Sequence, residues 1–177
     1  MNDKELIRKS KFLSLILRHK PEEVNIELDK NGWTSVKNLL PKIQCSMTDL
    51  NEVVEKNNKK RFEYNENKTM IRACQGHSVN VDLALPPSEP PPVLYHGTST
   101  RFLQSIFKSG IIAKGRKLVH LSEDFDTAIQ VGSRHGRSIV LVIMASDMVK
   151  DGHEFYLSNN NVWLTKEVPT KYFKIYD

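Results

Sequence analysis

Five short clusters in this sequence set arginine or histidine at the end of an apolar run, beside glycine, serine or proline: LRHKP, IRACQGHS, YHGTS, VHLS and GSRHG. A sixth cluster, NNNVW, closes a later apolar run with asparagines. Such run ends are where a rigid scaffold presents side chains to a ligand. The chemistry they suggest is phosphate capture. A guanidinium is planar, donates two parallel hydrogen bonds and stays charged at any working pH, so several arginines converging on one small dianion would make a strong site. In IRACQGHS, Arg72, Gln75 and His77 surround Gly76 where the chain leaves an apolar run.

Each cluster also has a plainer reading. Arg18 and His19 suit a helix C-terminus electrostatically. Arg72 reads as an outward residue of a hairpin strand, His96 as a core histidine bonded to backbone, and His135 as a loop residue. The asparagine run suits a hairpin turn, because Asn tolerates positive φ. Trp33 and Tyr64 read as packing residues rather than base-stacking platforms. The familiar nucleotide and metal signatures are absent: there is no GxGxxG, no GxxxxGK[ST] and no HExxH. Scattered histidines with only Cys45 and Cys74 make a poor zinc set, so no metal is expected.

The elements that must position these residues fall either side of LALPPSEPPPVLY, where five prolines between Pro86 and Pro92 exclude a helix or a central strand. This divides the chain into residues 1–83, a proline-rich connector over 84–92, and residues 93–177. Each part is small for an independent core, so the two are expected to pack together. In the first, Leu6, Leu13, Ile16 and Leu17 follow helical spacing up to Pro21. Thr34 or Ser35 caps a second helix carrying Val36, Leu39 and Leu40; Ser46 or Thr48 caps a third with Leu50, Val53 and Val54. RFEYN and TMIRA then read as a hairpin around Glu66-Asn67. Three helices followed by a hairpin is a winged-helix order. In the second part the strand VLYHG leads to a helix RFLQSIFKSG stopped at Gly110. LVHLS, a helix from about Asp124 to Gly132, the strand SIVLVIMA, the hairpin EFYLSNNNVWLT and a tail strand complete it. The fold class expected is α+β with a mainly antiparallel core.

A net charge of +5 suits a polyanionic partner such as RNA or DNA, although a solvated basic surface reads the same way. No apolar run is long enough to cross a bilayer, and MNDKELIRKS has no apolar signal region. With two distant cysteines, the expectation is reduced thiols in a cytoplasmic protein with no obligate protein partner.

In their order the clusters resemble the RNA 2′-phosphotransferase family. The likeness runs over nearly the whole chain, through LSLILRHKP with ELDKNGWTSVKNLL, RFEYNENKTMIRACQGHS, LYHGTS, VHLS, AIQVGSRHG and GHEFYLSNNNVWLT. The resemblance implies a winged-helix lobe for RNA packed on an ADP-ribosyltransferase-like lobe that binds NAD without a Rossmann fold. It implies that an internal RNA 2′-phosphate attacks the NAD ribose and expels nicotinamide. The ribose 2″-hydroxyl then takes the phosphorus, giving 2′-hydroxyl RNA and ADP-ribose 1″,2″-cyclic phosphate, as at a tRNA splice junction. The family's Arg-His-Arg-Arg tetrad falls on Arg18, His19, Arg72 and Arg134, with Arg116 and Arg137 as neighbouring alternatives to the last. Arg72 would grip the phosphate, Arg18 and Arg134 would share its charge, and His19 would contact phosphate or assist the second step. Lys20, Gln75, Gly76, His77 and Ser78 would shape the RNA side.

On the NAD side, the His-Tyr-Glu trio of related ADP-ribosyltransferases corresponds to His96, His120 and Val162. A phosphate acceptor needs no general base, which suits an apolar residue at the third position. Gly97, Thr98, Ser99 and Ser122 would complete the NAD contacts. The chain departs from the family at Asn25-Ile26, where Gly-Leu is usual, and at Leu118, where His is usual. Two other readings compete. One is a winged-helix DNA-binding regulator, disfavoured because DLNEVVEKNNKK begins acidic where a recognition helix would meet DNA. The other is an ADP-ribosyltransferase acting on nucleic-acid terminal phosphates, which shares the first step.

Overall fold

A computed structural model describes all 177 residues. The chain is of mixed helix and strand, with six α-helices and small sheets whose strand pairs are all antiparallel. It divides into Met1–Ala84 and Leu85–Asp177. None of its helices is long and apolar enough to cross a membrane.

The first unit opens with α1 (Asp3–Arg18), capped by Asn2, whose side chain accepts from Glu5 N. Pro21 begins a 3-10 turn, Pro21–Val24, and excludes helical backbone at the residue before it. Asn25 follows at φ 50° and ψ 46°, a left-handed conformation that glycine adopts freely and asparagine tolerates best among the others. Asn25 can therefore hold a left-handed turn position of the kind that glycine most often fills. Strand β1 (Thr34–Ser35) runs into α2 (Val36–Lys42), and α3 (Met47–Glu55) comes next; Ser35 and Ser46 are the caps. The hairpin β2 (Phe62–Tyr64) and β3 (Met70–Ala73) completes a sheet ordered β1-β3-β2. Thr34–Ser35 read in the sequence only as a cap, because two residues carry no strand periodicity. Leu13, Ile16, Leu17, Leu39, Leu50, Val53, Phe62 and Ile71 form this unit's core.

In the second unit, β4 (Leu94–Ser99) leads through a 3-10 turn into α4 (Leu103–Ser109). β5 (Ile111–Ile112), β6 (Val119–Leu121), α5 (Phe125–Gly132) and β7 (Ser138–Ile143) follow. The expected strand SIVLVIMA stops at Ile143, and Ala145–Lys150 forms α6 instead. Met144 N donates to Tyr172 O, which turns the chain out of the sheet. β8 (Phe155–Leu157), β9 (Trp163–Thr165), β10 (Glu167–Val168) and β11 (Phe173–Ile175) complete it. One sheet is ordered β11-β7-β4 and another β6-β9-β8, with β10 and β5 paired separately. A bridge between Tyr95 and Ser122, 2.8 and 2.9 Å N to O, ties β4 to the end of β6. The proline-rich stretch is tied into this unit as well: Ser88 N donates to Phe155 O at 2.8 Å, and Pro87 bridges Tyr156.

Helix α5 lies directly on β4. A Cβ on Gly97 would fall 1.6 Å from Ala128 O, and one on Gly132 would fall 2.6 Å from Thr98 O. Two glycines on facing elements thus bring backbone against backbone. The two three-stranded sheets of this unit pack Leu94, Leu141 and Ile143 of one with Leu121, Phe155 and Trp163 of the other into one core.

Candidate active site

The final turn of α1 delivers Arg18 and His19. The Arg18 carbonyl, an acceptor that a helix end leaves open, receives Ser78 N at 2.9 Å and Val79 N at 3.3 Å. His19 Nδ1 meets Ser78 Oγ at 2.8 Å. The loop after β3 is therefore stitched to the helix end. Gly76 permits this with φ +88°, its Cα side lying against the Arg18 guanidinium. Arg18 is only 8% exposed, whereas His19 is open to solvent. Of the other loop residues, Gln75 buries its amide oxygen without a hydrogen-bond partner. His77 is buried with its ring over Gly32, so its part is to anchor the loop. Lys20 turns to Glu23 at 3.0 Å on the surface.

Arg72 sits on the central strand and is braced on three sides. Its Nε donates to Glu63 Oε1 at 2.6 Å, and Nη1 donates to Asn31 O and Leu83 O at 3.2 and 3.3 Å. Its guanidinium carbon lies 4.4 Å from the Trp33 ring centre. These contacts leave the two N–H groups of Nη2 for a ligand. Arg72 is therefore an inward, fixed cation rather than an outward strand residue. Cys74 reports on both arginines: burial, helped by Glu63, pushes its thiol up to about 12, while Arg18 and Arg72 each pull it back. Two buried guanidinium groups thus act on one small region of the first unit.

In the second unit, His96 Nδ1 lies 3.2 Å from His120 O, which can only accept, so Nδ1 carries hydrogen and Nε2 remains an acceptor. Burial holds the His96 imidazole below its ordinary value, against the pull of that carbonyl. His120 Nδ1 receives Arg116 Nη1 at 2.7 Å, which places the His120 ring hydrogen on Nε2. Arg116 in turn is depressed first by burial and then by the positive charge of Arg134. Arg116, Arg134 and His120 are thus electrostatic neighbours, an arrangement that an anion would relieve. Arg137 lies at the opposite end of the turn, where its carbonyl accepts from Thr100 N at 3.0 Å.

The residues of YHGTS divide between the two faces of β4. His96 and Thr98 line a cavity of about 150 Å³ with Phe102, Ile112 and Lys114. Gly97 and Ser99 face the other way, toward α5 and Gly136. Ser122 makes the bridge to Tyr95, and Val162 N donates to Ser158 Oγ at 3.0 Å where the chain enters β9. No three His, Cys, Asp or Glu side chains are grouped to hold a metal ion.

Sequence reasoning did not find the bracing of Arg72 by Glu63 and Trp33, nor the contact of Arg116 with His120. The first had a signal: in a hairpin turning at residues 65–70, Glu63 falls opposite Arg72. The second joins a turn to a strand and left none.

Fold and site together define a mixed helix-and-strand protein whose first unit brings the buried guanidinium groups of Arg18 and Arg72 to bear on one small region. The family profile described as RNA 2′-phosphotransferase, Tpt1 / KptA family, matches residues 4–167. A probable RNA 2′-phosphotransferase of Flavobacterium johnsoniae is 51% identical over 93% of this chain and 93% of its own. Similar proteins of the same description from Agrobacterium fabrum and Fusobacterium nucleatum are 50% and 49% identical, over 94% and 95% of this chain and 92% and 97% of their own. The chain belongs to the RNA 2′-phosphotransferase family.

Proposed function

We propose that the protein removes an internal 2′-phosphate from RNA and transfers it to NAD, which is consumed. The observation that carries this reading is the joining of the Arg18 and His19 helix end to the loop that follows Arg72. Such a site suits a dianion presented on a polymer, because a buried arginine pair gives charge while the exposed histidine is reached from solvent. In this reading residues 1–83 are a winged-helix RNA lobe, 84–92 a connector and 93–177 an ADP-ribosyltransferase-like lobe. The order of three helices and the β1-β3-β2 sheet supports the first assignment.

The RNA phosphate is already a competent nucleophile at neutral pH. One of its oxygens attacks C1″ of the nicotinamide ribose, the C–N bond breaks and nicotinamide leaves with the electron pair. The 2″-hydroxyl then attacks phosphorus, the bond from phosphorus to the RNA 2′-oxygen breaks, and that oxygen takes a proton. Arg72 Nη2 and Arg18 hold the phosphate in the first step and take up its charge in the second, where fixed donors act most strongly. His19 contacts the phosphate or supplies the proton, with Ser78 setting its ring. The small cavity at His96 and Thr98 is below the usual size of a whole-ligand pocket, so it would take a single ring of NAD. His96 Nε2 would accept from a ribose hydroxyl, with His120, Ser122 and Val162 beside it. Gly97 and Ser99 would act by shaping β4. Arg134, with Arg116 beside it, would meet phosphate oxygens.

The test is a short RNA with one internal 2′-phosphate, incubated with and without NAD and followed by mass. NAD-dependent loss of phosphate with release of ADP-ribose 1″,2″-cyclic phosphate is expected. RNA that retains ADP-ribose would limit the protein to the first step, and unchanged RNA would overturn the reading.

A further inference from the structure

A groove of about 770 Å³ runs along the outer face of α1 in the first unit, and of its lining only His19 has a part in the reaction above. Its helical wall is the ridge Ile7, Lys11, Leu15 and His19, four residues apart at each step, which spans about 18 Å along the axis. The facing wall is the end of α3 and the turn after it, with Lys56, Lys59 and Arg61. Asp3 is the one carboxylate in the lining. Glu52 pairs with Lys56 at 2.6 Å, so the groove is basic through Lys11, Lys59 and Arg61, with an apolar floor, and it terminates at His19.

The basic wall is built rather than incidental. Asn57 is 7% exposed and organises it: Nδ2 donates to Ser10 Oγ at 2.7 Å, and Oδ1 accepts from Arg61 Nη1 at 3.1 Å and Lys59 N at 3.2 Å. One buried amide thus ties the turn to α1 and orients the Arg61 guanidinium. Arg61 O accepts from Cys74 N at 2.8 Å, directly beyond Arg72 on the paired strand. Both ends of the wall are continuous with elements that carry the phosphate site.

We propose that this groove binds the RNA strand flanking the phosphorylated nucleotide, so that several nucleotides are held besides the one that reacts. The assignment rests on the phosphotransferase reading for its substrate and on charge complementarity for its path. Phosphates would run along Lys11, Lys59 and Arg61, while Lys56 is held by Glu52 at 2.6 Å, and the absence of Phe, Tyr and Trp in the lining predicts little preference for base identity.

The test compares a dinucleotide bearing the 2′-phosphate at its junction with the same junction extended on the 5′ side or the 3′ side. One extended RNA is expected to show a lower KM than the dinucleotide. Lys11→Glu combined with Lys59→Glu should cut the ratio of kcat/KM, extended over dinucleotide, by about tenfold or more and reduce the salt slope of RNA binding by about 1.4, roughly 0.7 for each lost single-strand contact. Equal use of all three substrates by the parent protein, or an unchanged ratio in the variant, would overturn the proposal. Fluorescence anisotropy with a labelled RNA lacking the 2′-phosphate reads the groove without catalysis. Loss of that binding in the variant supports the groove even if no substrate turns over, a result that would count against the phosphotransferase reading alone. Displacement by an acidic polypeptide but not by RNA would assign the groove to a protein partner and overturn the proposal.

Discussion

Arg72 shows why residue type matters more than charge at this site. Glu63, two backbone carbonyls and the Trp33 face use its Nε, one terminal nitrogen and one flat side, which only a guanidinium offers together. Arg72→Ala is expected to lower kcat on 2′-phosphorylated RNA roughly a hundredfold or more, and Arg72→Lys nearly as much. Steady-state rates check this, and a lysine variant close to the parent would mean that charge alone suffices. His96 carries a pH prediction. Burial lowers its folded pKa beneath the ordinary 6.5, so the unfolded chain binds more protons as pH falls below that value. Its contribution is fully present above 6.5 and is lost as pH drops through the folded pKa. Thermal midpoints measured from neutral pH downward should decline less steeply in His96→Gln than in the parent. Equal slopes would remove His96 from the account.

At the level of elements, the contact of α5 with β4 holds the second unit's candidate residues in place. Gly97→Ala would drive a methyl into Ala128 O, and backbone on both sides cannot step aside as a side-chain end would. The expected loss is roughly 1–3 kcal/mol or more, read by denaturant unfolding. Gly115 provides the control, since nothing lies near its added Cβ, although its φ of +64° makes alanine there mildly strained. The stops and caps were legible in the sequence for the same local reason that they work: Ser35, Ser46, Asp124 and Gly110 each satisfy or end a helix within a few residues. Helix α6 was not legible, because six residues following a strongly apolar strand carry too little periodicity of their own.

For the whole molecule, the net charge of +5 includes Lys11, Lys59 and Arg61 along the groove of the first unit. RNA affinity should fall linearly on a log-log plot against salt, with a slope of roughly −0.7 for each phosphate of a single strand that a lysine or arginine neutralises. Titrations at several salt concentrations check this. A flat response would mean that the basic surface is merely solvated.

Sequence alone determined the family, the capped helices, the hairpin and the order of the arginine and histidine clusters, because these are local or colinear properties. It also placed Arg18 at a helix end and Arg72 on a strand. What it left open was the surroundings of each: Arg72 read as outward, the carbonyl that His96 would meet was not named, and Arg134 was taken without sight of Arg116 beside it. Those questions turn on which groups from distant segments share a space. Tertiary structure turned Arg72 inward by setting Trp33 and Glu63 on it, gave His96 the backbone bond its plainer reading expected, and set Ser78 on His19 and Arg116 on His120. Hydrogen-bond direction, burial and mutual repulsion depend on distance in space, and chain spacing carries no record of it.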